Sequence, residues 1–250
     1  MAEPEYESAP DIVGGAVVRG GGVPPDAADE EGAARLFGER MPLACRYAEL
    51  LSTAGVLRGL IGPREAPRLW ERHLLNCGAV AELIPYGAFI TDIGSGAGLP
   101  GIVLAVARPD LNVTLVEPLA RRATFLTEVV EDLELVNASV LRARAEDCVE
   151  AVDLADVVTA RAVASLDRLA AWGLPLAAVG GRLLAIKGAS AAEEVAQHQA
   201  AVHRAGGTAP RIRRCGADLL ATPVTVVEVV RQRNGSPVRS DRPRRGRNRR

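Results

Sequence analysis

Residues 89–101 read Phe-Ile-Thr-Asp-Ile-Gly-Ser-Gly-Ala-Gly-Leu-Pro-Gly. The apolar run of Phe89, Ile90 and Ile93 predicts a buried strand with Asp92 near its end. Gly94, Gly96 and Gly98 then form a glycine loop, and Pro100 opens a helix expected over 100–107. Proline suits the first helical position, because the N–H it lacks would have no partner there. Glycines allow the tight turn and let a ligand lie against the main chain. The free N–H groups of the following helix can meet a carboxylate or a phosphate. Strand, glycine loop and helix together predict a nucleotide-type ligand site.

Two readings of the glycines compete. Gly94-x-Gly96-x-Gly98 behind an acid matches the S-adenosylmethionine loop of Rossmann-like methyltransferases. Gly96-x-Gly98-x-x-Gly101 also matches the dinucleotide fingerprint of an NAD(P)-dependent oxidoreductase. Asp92 favours the methyl donor, since a carboxylate can meet the ammonium of a methionine moiety but repels a pyrophosphate. Pro100 points the same way, because a dinucleotide site needs an N–H for phosphate there. A second acid strengthens the case for a ligand. Asn112–Glu117 predicts the next strand, and Glu117 lies 23 residues after Gly94. A carboxylate at that tip can accept a hydrogen bond from each ribose hydroxyl.

Outward from this pair the chain alternates. Strands are expected at 89–93, 112–117, 138–142, 156–160 and 181–187, with helices at 100–107, 119–133, 145–151, 165–178 and 190–204. Alternating βα units imply an α/β fold, a mostly parallel sheet with helices on both faces. Strands near 210–215 and 224–231 predict an antiparallel edge hairpin turning near Thr222–Pro223, which completes a seven-stranded, class I methyltransferase-like sheet. Ahead of the sheet, Leu36, Arg40, Leu43, Tyr47, Leu50 and Leu51 form a helical stripe. Pro67 opens a second helix through Trp70, Leu74, Leu75, Val80 and Leu83, ending at Pro85. The domain is therefore expected over 32–231, with a helical preface at 32–85 and the sheet core at 86–231.

Composition bounds the rest. The 250 residues are 48% hydrophobic and 3% aromatic, enough for one large α/β domain. The net charge of −1 hides a segregation. Residues 1–31 hold eight acids against one arginine, and 231–250 hold nine arginines against one aspartate. Both ends are expected to be disordered. The basic tail, with Arg244, Arg245 and Arg247, offers an electrostatic handle for RNA. The four cysteines form no CxxC pair and are expected as reduced thiols in a cytosol. Histidines show no ligand spacing, so no metal is expected. No apolar run reaches membrane-spanning length, and the acidic N-terminus does not resemble a signal peptide. Nothing in the chain implies an oligomer.

Ligands bind at the carboxyl ends of the strands in such sheets. This picks out Ala145 and Glu146 after the third strand, Arg161 at the end of the fourth and Lys187 at the end of the fifth. Two cations at the mouth suit an anionic polymer. Arg72 and His73, on the second helix, are further candidates for RNA contact.

With those residues in view, the chain resembles the RsmG (GidB) family. The resemblance rests on Leu69-Trp70-Glu71-Arg72-His73-Leu74-Leu75-Asn76, on Asp92 to Gly101, and on Arg122-Ala123-Thr124-Phe125-Leu126. It continues in Ala160-Arg161-Ala162-Val163-Ala164-Ser165-Leu166 and in Ala185-Ile186-Lys187-Gly188, and covers roughly residues 35–230. It implies S-adenosylmethionine as cofactor and, as reaction, methylation of guanine N7 in the decoding region of 16S rRNA, at guanosine 527. The partner would be that RNA or the 30S subunit, in the cytoplasm. The resemblance also implies that Gly94 and Leu99 line the cofactor, Glu117 the ribose, Ala145 and Glu146 the adenine side, and Arg161 the methionine or target side. Two positions depart from the family: Val163 stands where phenylalanine is common, and Asn76-Cys77 where Asp-Ser is common.

What is missing agrees with that chemistry. Guanine N7 is a lone-pair acceptor with no proton, so no general base is needed. The chain has Thr-Ala-Arg-Ala after its fourth strand, where amine methyltransferases often carry an Asp/Asn-Pro-Pro-aromatic motif. No cysteine nucleophile stands at a strand end. Arg161 and Lys187 would then act by alignment. Besides the oxidoreductase, one other alternative stays open, a non-catalytic RNA-binding factor that retains the loop.

Overall fold

The computed structural model describes residues 22–233. Arg244, Arg245 and Arg247 lie outside them, as do residues 1–21. Seven strands form one sheet: β1 (Phe89–Ile93), β2 (Asn112–Val116), β3 (Ala138–Leu141), β4 (Ala155–Arg161), β5 (Ala177–Lys187), β6 (Arg211–Cys215) and β7 (Val224–Val230). Their order is β3-β2-β1-β4-β5-β7-β6. The first five run parallel, and β7 is antiparallel to both β5 and β6. The expected hairpin therefore forms with its second strand inserted beside β5 and β6 at the edge.

Parallel strands buried on both faces read as continuous apolar runs. Adjacent residues serve opposite cores here. Val157, Leu184 and Val226 join one core, while Val158, Leu183 and Val227 join the other. The first core packs under α1 (Glu30–Phe37), α2 (Met41–Leu50), α3 (Asn76–Gly78), α4 (Gly101–Ala107) and α5 (Ala120–Asp132). The second lies under α6 (Leu166–Gly173) and α7 (Ala191–Arg204). Helix α4, Gly-Ile-Val-Leu-Ala-Val-Ala, is buried on nearly every side between sheet and preface, which explains why it lacks a polar face.

The expected boundaries need four corrections. The ordered chain begins before residue 32: Glu30 and Glu31 open α1, and Val23 donates its N–H to Cys45 O at 3.1 Å. The second preface helix changes pitch along its length, with a π-helical stretch at Trp70–Leu75, the α-turn α3 and a 3-10 stretch at Ala79–Leu83. The helix expected at 145–151 is one 3-10 turn, Ala145–Asp147. The helix expected at 165–178 stops at Gly173. β5 begins at Ala177, because Gly180 (φ +88°) and Gly181 allow an irregular start that the apolar pattern hides.

Candidate functional site

The glycine loop turns as its sequence demands: Gly94, Gly96 and Gly98 have φ of +67°, +59° and +99°. β2 anchors it, since Val116 O accepts from Gly94 N at 2.8 Å and Ser95 N at 3.2 Å. From the preface, the buried Tyr47 hydroxyl donates to Ala97 O at 2.8 Å. A Cβ on Gly98 would come within 2.8 Å of that hydroxyl and 2.5 Å of Ile102. Above Gly96, by contrast, nothing lies closer than Gly94 O at 3.8 Å, so the loop's middle is open to a ligand. Leu99 and Ala97 are buried beside it.

Asp92 is fully buried beneath the loop. Its Oδ1 accepts from Thr159 Oγ1 at 2.8 Å and its Oδ2 from Gly101 N at 3.2 Å. Burial pushes its pKa up to about 6 against these hydrogen bonds. The expected contact with a ligand ammonium is thus replaced by an internal one, in which Asp92 ties β1 to β4 and to the start of α4. The same bond takes the Gly101 N–H that a pyrophosphate would use. Leu115 lies 2.2 Å from the Cβ position of Gly101, so that glycine serves packing. The occupied N–H weighs against the dinucleotide reading, whereas close helix–strand packing at the third glycine is common to both readings.

Glu117 is also buried, at 1% exposure. Its two carboxylate oxygens accept from Gly96 N at 3.0 Å and Leu119 N at 2.9 Å. A carboxylate has about four lone-pair sites, so capacity for a diol remains. Ala145 is buried and Glu146 exposed beyond the end of β3. These residues fit an adenosyl group across the ends of β1, β2 and β3.

Beside this half lies a cleft of about 770 Å³. Arg72, His73, Arg161 and Lys187, far apart in sequence, all line it. Arg161 crosses from β4 to the preface. Its guanidinium donates to Cys77 Sγ at 3.0 Å, Arg72 O at 3.1 Å and His73 Nδ1 at 2.7 Å. An arginine only donates, so Nδ1 must accept and Nε2 carries the proton. That Nε2 then donates to Glu65 Oε2 at 3.1 Å. Burial and the Arg161 charge lower the His73 pKa to about 4, keeping the ring neutral as this geometry requires. His73, expected to meet RNA, instead positions Arg161.

Lys187, expected as an RNA contact, lines the cleft and is held there by internal partners. Its ammonium donates to Ala164 O at 2.9 Å and Glu194 Oε1 at 2.8 Å. Glu194 Oε1 also accepts from Leu166 N at 2.6 Å. Lys187 therefore pins the loop after β4. Within that loop Ala162 has a left-handed φ of +55°, a conformation that L side chains rarely adopt. Val163 follows and packs on the glycine loop, with Cγ2 at 2.8 Å from the Cβ position of Gly94. The two halves of the site meet at this contact. Glu65 and Glu194 are the residues sequence reading missed. Glu65, in a turn, and Glu194, on α7, are ordinary acids in sequence until the fold supplies their partners.

The sheet order with its antiparallel β7, and a glycine loop at the carboxyl edge, define a Rossmann-like methyltransferase fold. A solved chain from Methanococcus maripaludis, described as an S-adenosyl-L-methionine-dependent methyltransferase, superposes with a TM-score of 0.53 at 11% identity, covering 79% of this chain and 95% of that one. The GidB family model, described as rRNA small subunit methyltransferase G, matches residues 40–220. The chain belongs to that family. Relatives named ribosomal RNA small subunit methyltransferase G include one from Salinispora tropica, 60% identical over 86% of this chain and 91% of its own. Another, from Mycobacterium sp. (strain JLS), is 54% identical over 83% and 94%.

Proposed function

We propose that this chain transfers the methyl group of S-adenosylmethionine to N7 of a guanine in the decoding region of 16S rRNA, guanosine 527. Family membership supports the substrate class. The observation that carries the reading is the cleft headed by Arg161, joined to the glycine loop through Val163 and Gly94.

When bound, the cofactor supplies an electrophilic methyl on a sulfonium. Gly94, Gly96, Gly98 and Leu99 cradle its methionyl side, Glu117 takes the ribose hydroxyls, and Ala145 and Glu146 flank the adenine. Asp92 holds the loop from below. The attacking N7 carries a lone pair and no proton, so no residue has to act as base. The protein's work is alignment and exclusion of water. Arg161, fixed by His73, Cys77 and the Arg72 carbonyl, meets guanine O6 or a flanking phosphate. Lys187 and Glu194 fix the loop that follows it. Arg72, exposed on the preface, and the tail residues Arg244, Arg245 and Arg247 add contacts to the phosphate backbone. The partner is 16S rRNA or the 30S subunit, which places the reaction in the cytoplasm. Among the described residues no helix is long and apolar enough to cross a membrane.

The test is incubation of the full chain with methyl-labelled S-adenosylmethionine and small ribosomal subunits from cells lacking this gene. Label at N7 of a single decoding-region guanine is expected. Label at another atom or on another RNA overturns the substrate while keeping the fold and cofactor.

A further inference from the structure

The charges around the cleft do not cancel evenly. Six basic residues line it, Arg68, Arg72, His73, Arg161, Lys187 and Arg214, against three acids, Asp29, Glu65 and Glu71. Arg68 pairs with Glu71 at 3.3 Å, Arg72 with Glu65 at 3.2 Å and Lys187 with Glu194 at 2.8 Å. His73 is neutral. Two cations remain without a carboxylate partner among the described residues, Arg161 and Arg214.

They come from different strands. Arg161 ends β4, where the preface holds its guanidinium through neutral acceptors. Arg214 belongs to β6, the edge strand of the sheet, and is exposed, as are its neighbours Arg211, Ile212 and Arg213. Within β6 the charges differ in use. Arg213 is tied to Glu228 at 3.1 Å, and the same carboxylate binds Arg182 at 3.1 Å. Arg214 alternates away from Arg213 and pairs in register with Thr225, another residue lining the cleft. It is therefore the β6 arginine that the fold directs to the cleft without neutralising it.

We infer that Arg214 anchors a phosphate of the RNA strand at the β6 side of the cleft, while Arg161 engages the nucleotide at the end of β4. This rests on the methyltransferase reading above and adds to it a second point of hold on the substrate. The space suits such a ligand, since 770 Å³ lies within the range of sites that hold a nucleotide-sized group. The residue type suits it too, because a guanidinium fork matches phosphate oxygens in a bidentate way that an ammonium does not. An exposed arginine on an edge strand also reaches a backbone that continues past the cleft, whereas a free nucleotide would leave it without a partner.

The experiment compares Arg214→Gln with Arg35→Gln, a control on α1 whose arginine is paired with Glu31 at 2.9 Å away from the cleft. Methyl transfer to the small-subunit RNA is measured in the full chain across a salt series, with cofactor affinity measured separately. For Arg214→Gln the KM for RNA rises about tenfold, while kcat and cofactor affinity stay at wild-type values. The slope of log affinity against log salt becomes shallower by about 0.7–0.9, one phosphate contact. A KM equal to that of the control overturns the inference, as does a raised KM with an unchanged salt slope or a fall in kcat alone. A wild-type chain that binds the cofactor but methylates no ribosomal RNA overturns the functional reading itself, which separates the two failures.

Discussion

Around the ends of β1 and β2, the candidate cofactor groups come from one contiguous stretch, residues 92–101, and one acid on the neighbouring strand. Around the ends of β4 and β5, the cleft is assembled from separate segments, at residues 28–29, 65–76, 161–162, 186–189, 214 and 219–225. The first half works through backbone geometry, and its side chains Asp92 and Glu117 bind N–H groups of the loop itself. The second works through long side chains that cross between elements. A ligand cradle made of local turns takes its shape from its own backbone and needs only a few props from elsewhere, Tyr47 and Thr159 among them. A cleft made of tertiary contacts depends on the whole fold.

The sharpest way to break this contrast is in the loop. Gly98→Val puts a branched side chain at φ +99°, where its Cβ meets Ile102 at 2.5 Å and Tyr47 Oη at 2.8 Å. We expect a loss of about 2–4 kcal/mol in stability and no thermal stabilisation by S-adenosylmethionine. A variant that still shifts its melting temperature with cofactor would show that the loop does not form the cradle.

Lys187→Met tests the second half with a smaller effect. Its side chain is only 12% exposed and that of Glu194 17%, so the change leaves a carboxylate and the Ala164 carbonyl short of a donor. Urea unfolding should register a loss of about 1–3 kcal/mol. The salt dependence of RNA binding should not change, and a shallower slope would return Lys187 to the RNA contacts.

The smallest effect lies in pH dependence, where the halves oppose each other. His73 is neutral in the fold down to about pH 4 but protonates near 6.5 when unfolded, so it makes stability rise with pH through that window. Asp92 stays protonated in the fold up to about pH 6 but ionises near 3.8 when unfolded, so it makes stability fall as pH rises from about 4 to 6. The two slopes offset in the native chain. His73→Gln should expose a stability that declines with rising pH, and Asp92→Asn one that climbs. Unfolding curves at several pH values would read both, and parallel profiles for the two variants would contradict these assignments.

The same contrast governs what could be read in advance. The glycine loop, the strand–helix alternation and the final antiparallel pair were legible because each is written in local spacing and turn chemistry. Glu117 was legible because its distance from the loop is fixed by one βα unit. His73 and Lys187 were found as residues, but their internal partners were not, since neither Glu65 nor Glu194 is adjacent in sequence to the group it serves. Asp92 was placed correctly at the strand end, but its burial depends on Thr159 of β4 and on α4, both brought in by the fold. The start of β5 was hidden by Gly180 and Gly181, whose backbone freedom leaves no apolar signal.

The central claim is that one carboxyl edge holds two separable halves, with Arg161 belonging to the substrate half. Arg161→Ala, titrated with S-adenosylmethionine and assayed for methyl transfer to small-subunit RNA, tests it most directly. The account predicts cofactor affinity within about twofold of wild type and kcat/KM for RNA lower by about 100-fold, the loss of about 2.7 kcal/mol expected for a charged hydrogen-bonding anchor. Cofactor binding lost together with RNA methylation, or methylation left intact, would contradict it.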